Sequence, residues 1–86
     1  MSGNESKLNI TIIVDGLPIS ENYPKAMKVE EIIKKHLPSS EKQNWSNYQL
    51  SDRERTLDSS VSLEGNNVNE NDILSLTKKD GGGGAL

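Results

Sequence analysis

Leu8-Asn9-Ile10-Thr11-Ile12-Ile13-Val14-Asp15-Gly16 is the stretch whose reading decides the fold. Leu8, Ile10, Ile12 and Val14 fall on one side of a period-two alternation, with Asn9, Thr11 and Ile13 on the other. This pattern, rich in β-branched residues, predicts a half-buried strand. The strand runs into Asp15-Gly16, a pair that accepts positive φ and closes a tight type I′ turn. Leu17-Pro18-Ile19 and a few residues beyond then return as the second strand of a hairpin. Pro18 has no N–H to give a ladder, so this second strand belongs at an edge or begins irregularly.

Downstream the period changes. In Val29-Glu30-Glu31-Ile32-Ile33-Lys34-Lys35-His36-Leu37 the apolar residues are Val29, Ile32, Ile33 and Leu37, which form one face of a helix. Glu30 and Glu31 occupy the first turn and Lys34, Lys35 and His36 the end, so the charges complement the helix dipole. Glu30 with Lys34 and Glu31 with Lys35 are favourable i,i+4 pairs. Pro38 stops the helix, and no good N-cap residue marks its start. Positions 38–47 read as a polar connection. Tyr48-Gln49-Leu50 and the segment around Thr56-Leu57 read as weak strands. Positions 66–72 are a turn region with Val68 as the apolar residue. Ile73-Leu74-Ser75-Leu76-Thr77 is a final strand with Leu74 and Leu76 on one face.

The order strand, strand, helix, strand, weak strand, strand is an α+β plan, in which the helix buries its stripe on one face of a mixed four- to five-stranded sheet. The expected core is Leu8, Ile10, Ile12, Val14, Ile19, Ile32, Ile33, Leu37, Leu50, Leu57, Leu63, Val68, Leu74 and Leu76. Three parts are expected: a disordered extension over residues 1–6, a domain over 7–79, and a flexible glycine-rich tail over 80–86.

The 86 residues make one domain at most, and no internal repeat is present. There are no cysteines, which excludes disulfides, thiolate zinc sites and a nucleophilic thiol. His36 is the single histidine and builds no histidine metal cluster; no cofactor is expected. Net charge is −3, with 10 basic against 13 acidic residues mixed along the chain, so no basic stripe awaits phosphates and no nucleic acid is expected. The apolar runs are too short to span a bilayer, and residues 1–7 lack the apolar segment of a signal peptide. No membrane association is expected, and a cytoplasmic setting is the default.

The tail, Asp80-Gly81-Gly82-Gly83-Gly84-Ala85-Leu86, follows the final strand after Lys78-Lys79. A carboxylate attacked inside an enzyme must reach a buried site through a narrow channel. Glycine lacks a Cβ, so its backbone passes close to enzyme walls with either sign of φ. The six residues beyond Asp80 span at most ~20 Å when extended, enough to reach into a cleft from the body. Gly81, Gly82, Gly83 and Gly84 are therefore the candidate working residues, with Ala85 the residue across a processing bond. The plainer reading of such a run is a flexible linker.

Two other side chains carry alternatives. Ile13 points away from the core-facing set, as part of a contact patch on the open sheet face or as a stray exposed aliphatic. Trp45 anchors a partner or caps the edge of the core. Lys34, Lys35, Lys78 and Lys79 are candidate acceptors for a second copy, although a solvated helix face accounts for the first two. Glu30 and Glu31 diverge on a helix and make no acid–base pair.

Hairpin, helix, further strands and a Leu74-Ser75-Leu76 strand running straight into a diglycine-bearing tail resemble ubiquitin and its relatives, whose fold is the β-grasp. More closely, the chain resembles prokaryotic ubiquitin-like proteins encoded beside homologues of the ubiquitin-activating enzyme, the ubiquitin-conjugating enzyme and a JAB-type metallopeptidase. The resemblance covers roughly residues 7–86. It implies a protein modifier that is not itself an enzyme. Its terminal glycine carboxylate would be adenylated, passed as a thioester through enzyme cysteines, and joined to target proteins. Four glycines stand where two would suffice, and Asp80 is acidic where ubiquitin has basic and apolar residues. Ala85-Leu86 would have to be removed before Gly84 presents a carboxylate. That extension favours a modifier over a sulfur carrier bearing a C-terminal thiocarboxylate, while a non-covalent interaction module is the third reading.

Overall fold

A computed structural model of the chain describes residues 7–79. The expected N-terminal extension and the glycine tail lie outside the described residues. Strand β1 spans Lys7–Val14 and β2 spans Leu17–Pro24, with helix α1 at Val29–Lys35. A 3-10 stretch, Ser39–Asn47, leads to β3 at Tyr48–Ser51; a 3-10 turn, Glu64–Asn66, precedes β4 at Ile73–Lys78.

The four strands form one sheet in the order β2-β1-β4-β3. β1 and β2 pair antiparallel with Val14 opposite Leu17, so the connection is Asp15-Gly16 alone. Asp15 and Gly16 have φ of 52° and 82°, the two positive values a type I′ turn requires. β2 lies at the sheet edge, as Pro18 demanded. β4 lies in the middle, parallel to β1 with Ile12 beside Leu74, and antiparallel to β3 with Leu50 beside Leu76.

The helix covers one face. Ile10, Ile12, Tyr23, Val29, Ile32, Ile33, Leu50, Leu63 and Leu74 are all essentially inaccessible, and Leu8, Leu37, Leu57, Val68 and Leu76 complete the buried cluster among the described residues. Val29 belongs to the helical stripe and enters the core with it. Val14 and Ile19 do not, being only partly buried. A seven-residue helix is ~10 Å long and an eight-residue strand ~27 Å, so α1 cannot cover the hairpin out to its tip.

Three local readings change. The helix ends at Lys35, two residues before Leu37, because the His36 N–H is shared between the carbonyls of Ile32 and Ile33 and Pro38 follows. Lys35 does not pair with Glu31. It reaches across to Glu21 on β2 at 2.9 Å, and Glu31 instead meets Lys34 at 3.7 Å beside the expected Glu30–Lys34 pair at 3.8 Å. The Thr56-Leu57 segment is no strand and holds one isolated bridge from Thr56 to Ser51. There the Asp52 carboxylate accepts the N–H groups of Glu54 and Arg55, turning the chain by a side-chain route that competes with a ladder.

Tyr23 and Asn66 are buried without having been expected there. Tyr23, opposite Leu8 on β2, is among the largest fully buried side chains. Among the described residues Asn66 is the buried polar residue, and its side chain bonds to the backbone of Asp58, Val61 and Ser62.

Candidate functional site: the root of the C-terminal tail

The chain's route out of the body is set by β4. Flanked by β1 and β3, this strand is held on both sides, and its last residue, Lys78, stands opposite Tyr48. One step further the Lys79 N–H donates to the Asn47 carbonyl at 2.7 Å. Backbone bonding therefore fixes the chain up to Lys79, two residues before Gly81. The candidate processing and conjugation residues Gly81, Gly82, Gly83, Gly84 and Ala85 lie outside the described residues.

Beside this root lies a cleft of about 600 Å³. The hairpin tip from Ile13 to Gly16 forms one wall, and His36, Leu37 and Pro38 at the end of α1 form a second. Glu41 and Tyr48 close a third side, and β4 contributes the floor and the rim at Lys78. Two of the walls and the floor follow from local signals already described: the Asp15-Gly16 turn, the stop at Pro38 and the Leu74-x-Leu76 alternation. The Tyr48 hydroxyl donates to Glu41 Oε1 at 3.4 Å. Desolvation, then the Glu41 and Asp15 carboxylates, push the Tyr48 phenol above its usual range. His36 is bonded on its inner side to Tyr23, and burial holds its imidazole below the usual histidine range. The cleft thus offers aliphatic surface, two carboxylates, a phenol, an imidazole and the Lys78 ammonium. It suits contact with a partner surface. Among the described residues it presents no nucleophile paired with a base.

Ile13 is half-buried on the face of the sheet away from α1, between Pro18 of β2 and Ser75 of β4, and also reaches the cleft. Polar pairs share that face, Thr11 bonded to Ser20 at 2.8 Å and Asn9 to Asn22 at 3.1 Å. Ile73, which sequence reading passed over, stands on that same face at 58% exposure, and Leu17 is more exposed still at the hairpin. Trp45 packs against the edge of the core with the Lys34 ammonium 5.3 Å from its ring centre, away from the cleft. The two candidate contact residues are therefore not brought together.

A second groove, about 520 Å³, is lined by Asp52, Arg53, Glu54, Asn71, Asp72, Ile73 and Ser75. Asp52 is engaged by its own turn and by Arg55, and Asp72 accepts the Asn69 N–H, so two of its carboxylates serve the backbone. Among the described residues no group of histidine and carboxylate side chains is arranged to hold a metal ion. No helix of the described residues is long and apolar enough to cross a membrane.

One helix laid across a mixed sheet, with the first and last strands parallel at its centre, defines an α+β protein of the β-grasp class. Neither a family model nor a curated protein sequence matches the chain. Solved structures do. A de novo designed protein based on ubiquitin aligns with a TM-score of 0.68 at 20% identity, over 90% of this chain and 94% of the design. The ubiquitin of Caldiarchaeum subterraneum aligns with a TM-score of 0.64 at 22% identity, over 88% of this chain and 99% of that one. The fold is the ubiquitin-like β-grasp.

Proposed function

We propose that the chain is a ubiquitin-like protein modifier, conjugated through the carboxylate of Gly84 once Ala85-Leu86 has been removed. The observation that carries this reading is the anchoring of β4 through Lys79, which fixes the chain two residues before the glycine run. Glycine at 81–84 lets a backbone lie extended in an enzyme cleft that side chains would block. The modifier supplies no catalytic group of its own. A JAB-type metallopeptidase makes the cut, an activating-enzyme homologue adenylates the new carboxylate, and a conjugating-enzyme homologue delivers it to target proteins. The cleft beside Lys78 is the surface those enzymes read, since any enzyme that holds the tail must also face its root.

The test incubates the full chain with the cognate metallopeptidase and reads the new C-terminus by intact mass. ATP-dependent conjugation of the product is then assayed. Cleavage after Gly84 followed by mass gain on other proteins supports the modifier. Exchange of a terminal oxygen for sulfur indicates a sulfur carrier instead. A chain truncated before Gly81 that conjugates as well as the matured form would overturn the reading.

A further inference from the structure

Glu21, Tyr23, Lys35 and His36 form a polar seam between the edge strand β2 and the last turn of α1. The Tyr23 ring is buried, and its hydroxyl oxygen lies 2.5 Å from His36 Nε2, with the two rings meeting edge-on at 6.2 Å. A single hydrogen occupies the space between those atoms. Tyrosine supplies it when Nε2 is bare, and the imidazolium supplies it when His36 is charged. Glu21 stands two residues before Tyr23 on the same face of β2 and is the candidate second acceptor for the phenol. Its carboxylate is held below the usual range by Lys35 first of all, and the same ammonium lies 5.1 Å from the Tyr23 ring centre, which makes Glu21 and the phenol neighbours. Its Oε1 is buried and meets the Lys35 ammonium at 2.9 Å as an ion pair, yet no aligned hydrogen-bond donor serves it among the described residues. A buried carboxylate oxygen without such a donor is a place for a hydrogen to go.

We propose that the Tyr23 hydroxyl is a two-position switch, donating to Nε2 of neutral His36 and, once His36 takes a proton, turning to donate to Glu21 Oε1 while accepting from the imidazolium. Tyrosine keeps its own proton in both states. The one proton exchanged with solvent is that of His36. Because His36 also walls the cleft at the tail root, the switch carries acidification into the charge and shape of that cleft. The groups that face His36 are Glu21 and Tyr23 from β2, Lys35 from α1, and Lys42 from the 3-10 stretch, with Glu41 across the cleft. Burial opposes the imidazolium most strongly, Glu21 favours it, and the two lysines oppose it, so the switch works on the acid side of the ordinary histidine range. The inference concerns the free domain and is independent of the modifier reading.

The test follows the His36 ring signals by NMR against pH in the full chain, for the parent, Glu21→Gln, Tyr23→Phe and the double variant. The expected result is a parent midpoint below about 6.5, lowered further by Glu21→Gln. In the Tyr23→Phe background the same Glu21 substitution should shift the midpoint by less than half as much, since the hydroxyl that links them is gone. Equal shifts in both backgrounds would mean direct charge attraction alone and would overturn the switch. The amides of Leu37, Glu41 and Lys78 should titrate with the His36 midpoint, and a flat response there overturns the link to the cleft. If Tyr23→Phe fails to fold, the parent still decides the matter. The Tyr23 Cζ and Glu21 Cδ carbons must both step at the His36 midpoint, and the absence of either step overturns the proposal.

Discussion

Asn66 holds both backbone groups of Asp58: its Oδ1 accepts the Asp58 N–H at 2.8 Å, and its Nδ2 donates to the Asp58 carbonyl at 3.0 Å. The same amide reaches the Ser62 carbonyl at 3.0 Å, and the Asn66 carbonyl accepts from Arg55. One buried side chain therefore closes the long connection between β3 and β4 without a strand of its own. Asn66→Ala leaves buried backbone groups unpaired and is expected to cost about 2–4 kcal/mol. Urea denaturation checks this, with a lowered midpoint expected.

Ile12 sits at the centre of the core, with Ile19 across one strand boundary and Leu74 across the other. Ile12→Val removes one methyl group and should cost about 1 kcal/mol. Ile12→Asp places an unpaired charge there, several kcal/mol against a total of about 5–15, and the domain should unfold. Far-UV circular dichroism and thermal melting read both. A melting temperature unchanged by Ile12→Asp would refute the packing.

Gly16 needs a different test, because nothing lies within 4 Å of where its Cβ would be. Only its φ of 82° resists substitution. Gly16→Ala should cost about 1–2 kcal/mol through backbone strain, with no packing change. Gly16→Asn, which tolerates positive φ better, should recover part of that loss in the same denaturation assay.

The two partners of the seam set opposite limits in pH. Burial first, and then the neighbouring Glu21 carboxylate, raise the Tyr23 phenol well above its ordinary value. Its contribution to stability is complete below about pH 10 and is lost as pH rises through the folded value. Tyr48 is shifted the same way, so Tyr23→Phe should shrink the alkaline loss without abolishing it. His36 is depressed, so its contribution is present above about pH 6.5 and is lost as pH falls through the folded value. Urea midpoints measured from acid to alkaline pH check both limbs. An alkaline limb identical in Tyr23→Phe and parent would refute the assignment.

Gly84→Trp should block cleavage and conjugation while leaving the melting temperature unchanged, since Gly84 stands six residues beyond the end of β4 at Lys78. Loss of stability in that variant would tie the tail to the core and weaken the modifier reading.

The sequence by itself determined the hairpin, the apolar helical stripe and the last strand. Each rests on a short-range periodicity or on a turn pair such as Asp15-Gly16, whose conformational preference belongs to the residues themselves. It also showed the glycine run, which is a matter of composition. Contacts between distant segments were another matter. Tyr23 is buried because β2 lies opposite Leu8 and under His36, and Pro18 and Glu21 hide that alternation in the chain. Lys35 leaves its helical neighbour Glu31 for Glu21 because the helix crosses the edge strand there, and no spacing rule within a helix can foresee a partner on another element. Asn66 reads as one more turn residue until the loop wraps around it. The cleft at the tail root is the clearest case. Its walls come from four separate parts of the chain, and only the central position of β4 brings them around the point where the tail departs.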